Sequence, residues 1–107
     1  MRFVNLTGFD IILEMQDGSE IVIDADGSRP QVTSLHEPVD RGLGINTVIQ
    51  HRRVSGHLPD EQPGVVLLVM PELAIHLHKT TDRKDIYAAD IDGYRQHRMV
   101  CSRLYCL

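Results

Sequence analysis

The sequence predicts an α+β protein, mostly β: a small antiparallel or mixed sheet, or partial barrel, with one short helix packed on it. Three observations carry that expectation. With no Trp, two Phe and three Tyr in an apolar fraction of 42%, the core must be built from Val, Ile and Leu, and β-branched side chains suit a pleated, half-buried surface. Residues 9–25 alternate apolar and polar in two runs around Gln16-Asp17-Gly18. A continuous apolar run, Val65 to Met70, leads straight into Pro71-Glu72, which reads as a strand covered on both faces followed by a helix start.

The elements follow in order. Arg2 to Leu6 is a short first strand. Phe9, Ile11, Leu13 and Met15 then share one strand face, and Ser19 to Ala25 resumes the pattern after the turn. A three-residue hairpin loop places its glycine in the left-handed region. With Gly18 there, Met15 opposes Ser19, Leu13 opposes Ile21 and Ile11 opposes Ile23. The other face pairs Glu14 with Glu20, Ile12 with Val22 and Asp10 with Asp24. A slip of one residue would mix the two faces, so the pattern itself argues for this register.

Asp24-Ala25-Asp26-Gly27 signals a turn, and Pro30 to Leu35 reads as another strand. Residues 36–44, with Pro38, Gly42 and Gly44, read as a loop. Ile45 to Val54 is a strand reaching toward Leu58, and Pro59 to Gly64 is a connection. The Val65–Met70 strand should be central. The helix then runs from Pro71 to about Lys79, with Leu73, Ala74 and Leu77 on its apolar stripe. Ile86 to Ala89 reads as a short strand, Asp92-Gly93 as a turn, and Gln96 to Leu104 as the last strand. At 107 residues there is room for one core, and residues 1–107 form one expected domain.

Charge narrows the function. The net charge of −4 divides unevenly: residues 1–40 sum to −6 and residues 41–107 to +2. Nucleic-acid binding wants a basic stripe, so the composition argues against it. No stretch nears the roughly 18 apolar residues of a membrane span, and the N-terminus lacks the apolar centre of a signal peptide. The expectation is a cytoplasmic protein without a membrane partner. Cys101 and Cys106 are then reduced thiols, Cys101 as a small core residue.

The chemistry-bearing residues form no familiar constellation. His76 and His78 would share one face of a strand, but on a helix they lie about 200° apart and cannot hold one ion. His51 and His57 flank Arg52 and Arg53, a candidate anion site whose simpler account is an exposed strand. Asp82-Arg83-Lys84-Asp85 reads as a solvated charged loop. No nucleophile elbow, phosphate loop or dinucleotide fingerprint is present. The sequence therefore assigns no catalytic residue, metal ligand or cofactor, and favours a non-enzyme.

What stands out is the acidic face of the hairpin. Like charges directly opposite destabilise a strand pair, and two such pairs invite something to offset them. An internal arginine, Arg95, Arg98 or Arg103, is one answer. A partner protein with a basic surface is the other, docking on Asp10, Ile12, Glu14, Glu20, Val22 and Asp24, with aliphatics at the centre and acids at the rim.

Arg2-Phe3-Val4-Asn5-Leu6-Thr7 resembles the opening of a group of small uncharacterised phage and bacterial proteins that begin with a V-N-L-T-P-H stretch. The likeness continues through Leu58-Pro59 with Gly64 to Val69, then Asp82 to Ala88, and Val100 to Leu104. The chain departs from it with Gly8-Phe9 where that group has Pro-His, so no role for that histidine carries over. The resemblance implies a phage or mobile-element origin, where small acidic proteins that block host defence are common. It implies no catalytic residue. The expected function is thus a protein-binding module, an anti-CRISPR-like or other anti-defence inhibitor working through the acidic face. A small His-based or metal-dependent enzyme and a self-associating phage component are the alternatives.

Overall fold

Eight strands and one helix form in the computed structural model, which describes residues 1–106. They are β1 (Arg2–Asn5), β2 (Ile11–Glu14), β3 (Glu20–Ile23), β4 (Gln31–Val39), β5 (Thr47–Ser55), β6 (Val65–Val69), α1 (Pro71–Thr80), β7 (Ile86–Arg95) and β8 (Arg98–Tyr105). Six strands make a mixed sheet in the order β1-β6-β7-β8-β2-β3, a nearly closed partial barrel, while β4 and β5 pair only with each other. The mostly-β, one-helix class read from composition and pattern is the class observed.

The two edge strands almost meet. Asn5 and Ala25 form an isolated bridge, and the Asp26 N–H donates to the Asn5 carbonyl at 2.9 Å. The Asn5 side chain finishes the seam: Nδ2 donates to the carbonyls of Phe9 (2.6 Å) and Ile23 (3.0 Å). Its Oδ1 accepts from the Thr7 amide (3.1 Å) and hydroxyl (2.6 Å). Asn5 and Thr7 are buried, and burial of polar groups is tolerable only when they are paired in this way. Two residues of the N-L-T stretch are therefore the latch of the barrel.

The core has two layers. Inside the barrel, Ile11, Leu13, Leu68, Ala89, Met99 and Cys101 pack together. Outside it, α1 lays Leu73, Ala74 and Leu77 against Leu6, Leu67, Val69, Ile86 and Ala88. Alternation along β6 sends Leu68 inward and Leu67 and Val69 outward, which is why this strand reads as unbroken apolar sequence. It lies between β1 and β7, parallel to both, and α1 supplies the crossover that the parallel β6–β7 pair requires. Pro71 occupies the first turn with Glu72, as the sequence implied.

The β2–β3 register is the expected one, from Ile11↔Ile23 to Glu14↔Glu20, and Gly18 sits at φ +86°. Two expectations are corrected. Residues 36–39 are strand, not loop: β4 pairs β5 through Pro38↔Val48 and Val39↔Thr47. A two-stranded sheet consists of edges alone, where proline is tolerated. Asp92-Gly93 is not a turn but lies within β7, where the β7–β8 register shifts. There Asp92 accepts hydrogen bonds from the Ser102 amide (3.1 Å) and the Ser102 hydroxyl, satisfying residues that the irregular ladder leaves unpaired. The hairpin turns instead at Gln96-His97, both at positive φ (51° and 66°).

Finally, the β4–β5 hairpin projects as an arm. Its base is anchored by Val32 and Val54 on the helix-side core and by a Ser28 hydroxyl bond to the His57 carbonyl at 3.0 Å. Gly56, at φ +88°, lets the chain pass Pro30, where a Cβ would come within 3.1 Å of the Pro30 Cα. The molecule measures 60 × 31 × 23 Å with a radius of gyration of 17.2 Å, well above the about 13 Å of a compact chain this size.

Candidate interaction surfaces

The acidic face of β2–β3 is formed but partly spent on the fold. Glu14 and Glu20 stand opposite each other, and Arg95 answers them with an ion pair to Glu20. That hydrogen bond, with the Glu20 and Glu14 charges behind it, raises the Arg95 pKa and holds the guanidinium cationic. The internal offset is thus present, supplied by the first of the three arginines considered. Arg103 lies elsewhere, paired with Asp90 at 2.7 Å.

Asp10 Oδ1 accepts the Ala25 amide at 2.9 Å, tying the open end of the hairpin. Ile12, expected at the exposed centre of the face, is only 6% exposed. It stands between Val22 and Val100 in the strand registers, and an interior strand with neighbours on both sides leaves a mid-strand aliphatic little solvent. Glu14, Val22 and Asp24 are exposed. These three, rimmed by the Glu20–Arg95 pair, are what the proposed face offers a partner.

The arm is the surface that the sequence reading missed. Its strand faces follow from alternation. Val32, Val54, Gln50 and Arg52 share the helix side, where Gln50 and Arg52 border a groove with Glu72, Ile75, His76 and Lys79. Thr33, Arg53, Leu35, His51, Glu37 and Ile49 share the outer side. There Glu37 and His51 meet at 2.9 Å, and Leu35 and Ile49 are exposed. At the tip, Leu43 and Ile45 are 69% and 74% exposed, on a loop shaped by Gly42 and Gly44 at positive φ and by the Gly42 amide bonded to Asp40 Oδ1 at 2.8 Å. The signal for the arm was present in the β-favouring Val48-Ile49 and Val32-Thr33 runs, but Pro38 and the two glycines masked its length.

The other candidates do not converge. Arg52 and Arg53 are neighbours in one strand and so point to opposite faces, while His57 belongs to the arm base; no anion pocket forms from the four. Asp82 to Asp85 is a loop solvated only at Asp82 and Lys84, with Arg83 and Asp85 turned inward. Arg83 grips the buried Asp85 through Nε (3.0 Å) and Nη2 (2.7 Å) and donates to the Pro59 carbonyl at 2.7 Å. Asp85 in turn raises the Arg83 pKa. This ties Pro59 to the loop that leads into β7. Gly8, at φ +86°, cannot be proline, whose φ is held near −65°. Phe9 stacks under Arg29 at 5.3 Å.

Cys101 is buried and Cys106 exposed, both unpaired. Among the described residues no three of His, Cys, Asp and Glu gather as metal ligands, and no helix is long and apolar enough to cross a membrane. The molecule is a small β-rich chain that turns its charged and apolar groups outward, on a projecting arm and on a strand pair. No protein-family model matches the chain, and no curated protein or solved structure does so either.

Proposed function

We propose that this chain is a non-enzymatic protein-binding module. The observation that carries the reading is the arm: a nine-pair hairpin that leaves Leu35, Leu43, Ile45, Val48 and Ile49 exposed. An isolated two-stranded hairpin is marginal in water, and an exposed apolar tip of this kind fits a contact surface. The outward acidic face of Glu14, Val22 and Asp24 adds a second surface, complementary to a basic partner. The six histidines are dispersed over arm, helix and turn, which supports binding over histidine-based catalysis. The specific form proposed is a small cytoplasmic inhibitor of phage or mobile-element origin that docks on a host defence complex. Its support is the small size, the acidic face and the likeness of the opening stretch.

The test is site-specific photo-cross-linking in living cells, with the reactive residue at Ile45 or at Val22. Discrete protein adducts from at least one position are expected. Absence of any adduct from both positions, in protein shown to be folded, would overturn the module reading.

A further inference from the structure

We infer that the free edge of β5 takes up an extended strand of the partner protein, one that sets two adjacent carboxylates against Arg52 and Arg53. The inference rests on the module reading and names the chemistry of what the arm binds.

Side-chain bonds across the arm show which carbonyls turn inward. The Thr33 and Ser55 hydroxyls donate to the carbonyls of Arg53 and Gln31, both at 3.4 Å, and the Thr47 hydroxyl donates to that of Val39. Odd-numbered residues therefore bond within the ladder, and even-numbered ones turn their N–H and C=O groups to the two outer edges. On β4 that edge includes Pro38, which has no N–H to give and so obstructs strand addition. On β5 the edge is Val48, Gln50 and Arg52. All three are exposed, and β5 pairs with no strand but β4. Among the described residues no backbone bond from another element reaches them. A row of unpaired groups of this kind is a template for a further strand.

Charge gives the occupant its composition. β5 carries Arg52 and Arg53 and no carboxylate. The two stand on opposite faces of the strand, and neither has an ion pair among the described residues. From Gln31↔Ser55 to His36↔Gln50, the rungs around both arginines, the arm has no Asp or Glu. Its two carboxylates lie toward the tip. Glu37 stands opposite Ile49 and bonds to His51; its rung is roughly 14 Å along the strand from that of Arg53. Asp40 follows the last pair, Val39↔Thr47. On the helix side, Arg52 shares its groove with Lys79 and Glu72, so one acid there meets two bases. An incoming strand alternates its side chains between the same two faces, and consecutive acids on it meet both arginines. Apolar residues on either side of the acids would lie opposite Val54 and Ile49.

The probe is a fluorescein-labelled peptide, Thr-Val-Glu-Glu-Thr-Thr-Val-Thr, which antiparallel to β5 places its glutamates opposite Arg53 and Arg52. Anisotropy is read as the chain is added, at about 0.05 M and about 0.5 M salt. Saturable binding with Kd below about 1 mM is expected, weakening as salt rises. Lys-Lys in place of Glu-Glu should weaken it by about tenfold or more, and Arg52→Glu with Arg53→Glu should reverse the preference between the two peptides. N-methylation of the peptide at the residues opposite Arg52 and Gln50 should abolish binding with the protein untouched. Gln50→Pro should do the same from the protein side, at a position where the β4–β5 ladder loses no bond. Circular dichroism should show both protein variants folded.

Equal binding of the acidic and basic peptides would overturn the inference. So would no binding of the acidic peptide below about 1 mM, or full affinity after N-methylation. If a cross-linker at Ile45 or Val22 captures a protein while no peptide binds, the edge falls and the module reading stands. If nothing is captured and no peptide binds, both fall.

Discussion

Arg83 and Asp85 make the most consequential single contact in the chain. The ion pair is nearly dry, with 16% and 5% of the side chains exposed, and it also fixes the Pro59 carbonyl. Arg83→Ala would leave a carboxylate buried without its partner, a loss of about 3–5 kcal/mol. Removing both side chains should cost less than removing Arg83 alone, which chemical denaturation of the two single variants and the double variant will show. A cost for Arg83→Ala below about 1 kcal/mol, typical of surface pairs, would contradict the burial described. Cys101 carries the pH dependence. Burial raises its thiol pKa, and the thiol donates to the Arg103 carbonyl at 2.9 Å, a hydrogen bond that the thiolate cannot make. The stability tied to the neutral thiol is present in full below the unfolded thiol pKa of about 8.5. It is lost as pH climbs from there through the raised folded value. Denaturation midpoints should therefore fall across that alkaline window in wild type and fall less in Cys101→Ala. At neutral pH, iodoacetamide should label Cys106 and spare Cys101; equal labelling would mean that Cys101 is not buried.

Among the elements, the β2–β3 hairpin was legible to the residue because local turn chemistry and face alternation agree there. The left-handed Gly18 and the pairs from Ile11↔Ile23 to Glu14↔Glu20 follow from the thirteen residues Ile11 to Ile23. The β7–β8 hairpin was not legible. Its turn uses Gln96-His97 at positive φ, a conformation that costs about 1–2 kcal/mol per non-glycine residue, while the stronger turn signal, Asp92-Gly93, is absorbed in the strand. Replacing Gln96-His97 by Asn-Gly, the pair such two-residue turns prefer, should raise stability by about 1 kcal/mol or more. Unchanged or lowered urea midpoints would count against the turn geometry.

For the whole molecule, the arm sets the shape. Small-angle scattering at high salt should return a radius of gyration close to 17.2 Å and a longest dimension near 60 Å. A value near the about 13 Å of a compact chain would mean that the arm folds back. Fold class, the acidic hairpin and the helix with its buried Leu73, Ala74 and Leu77 were determined by the sequence alone, because periodicity and turn residues report on neighbours along the chain. Of the six residues proposed for the acidic face, the sequence placed all six on one side of the hairpin. Only the tertiary structure decided that Ile12 is covered, that Asp10 is spent on the Ala25 amide and that Arg95 takes Glu20. The Asp10 bond spans 15 residues and closes the open end of the hairpin itself. Ile12 is covered because β8 lies beside β2, and Arg95 reaches Glu20 from 75 residues away, contacts that no local pattern reports. The same holds for Asn5, whose latch joins the ends of two strands, and for the arm, whose projection follows from the barrel leaving β4 and β5 no strand to pair with but each other.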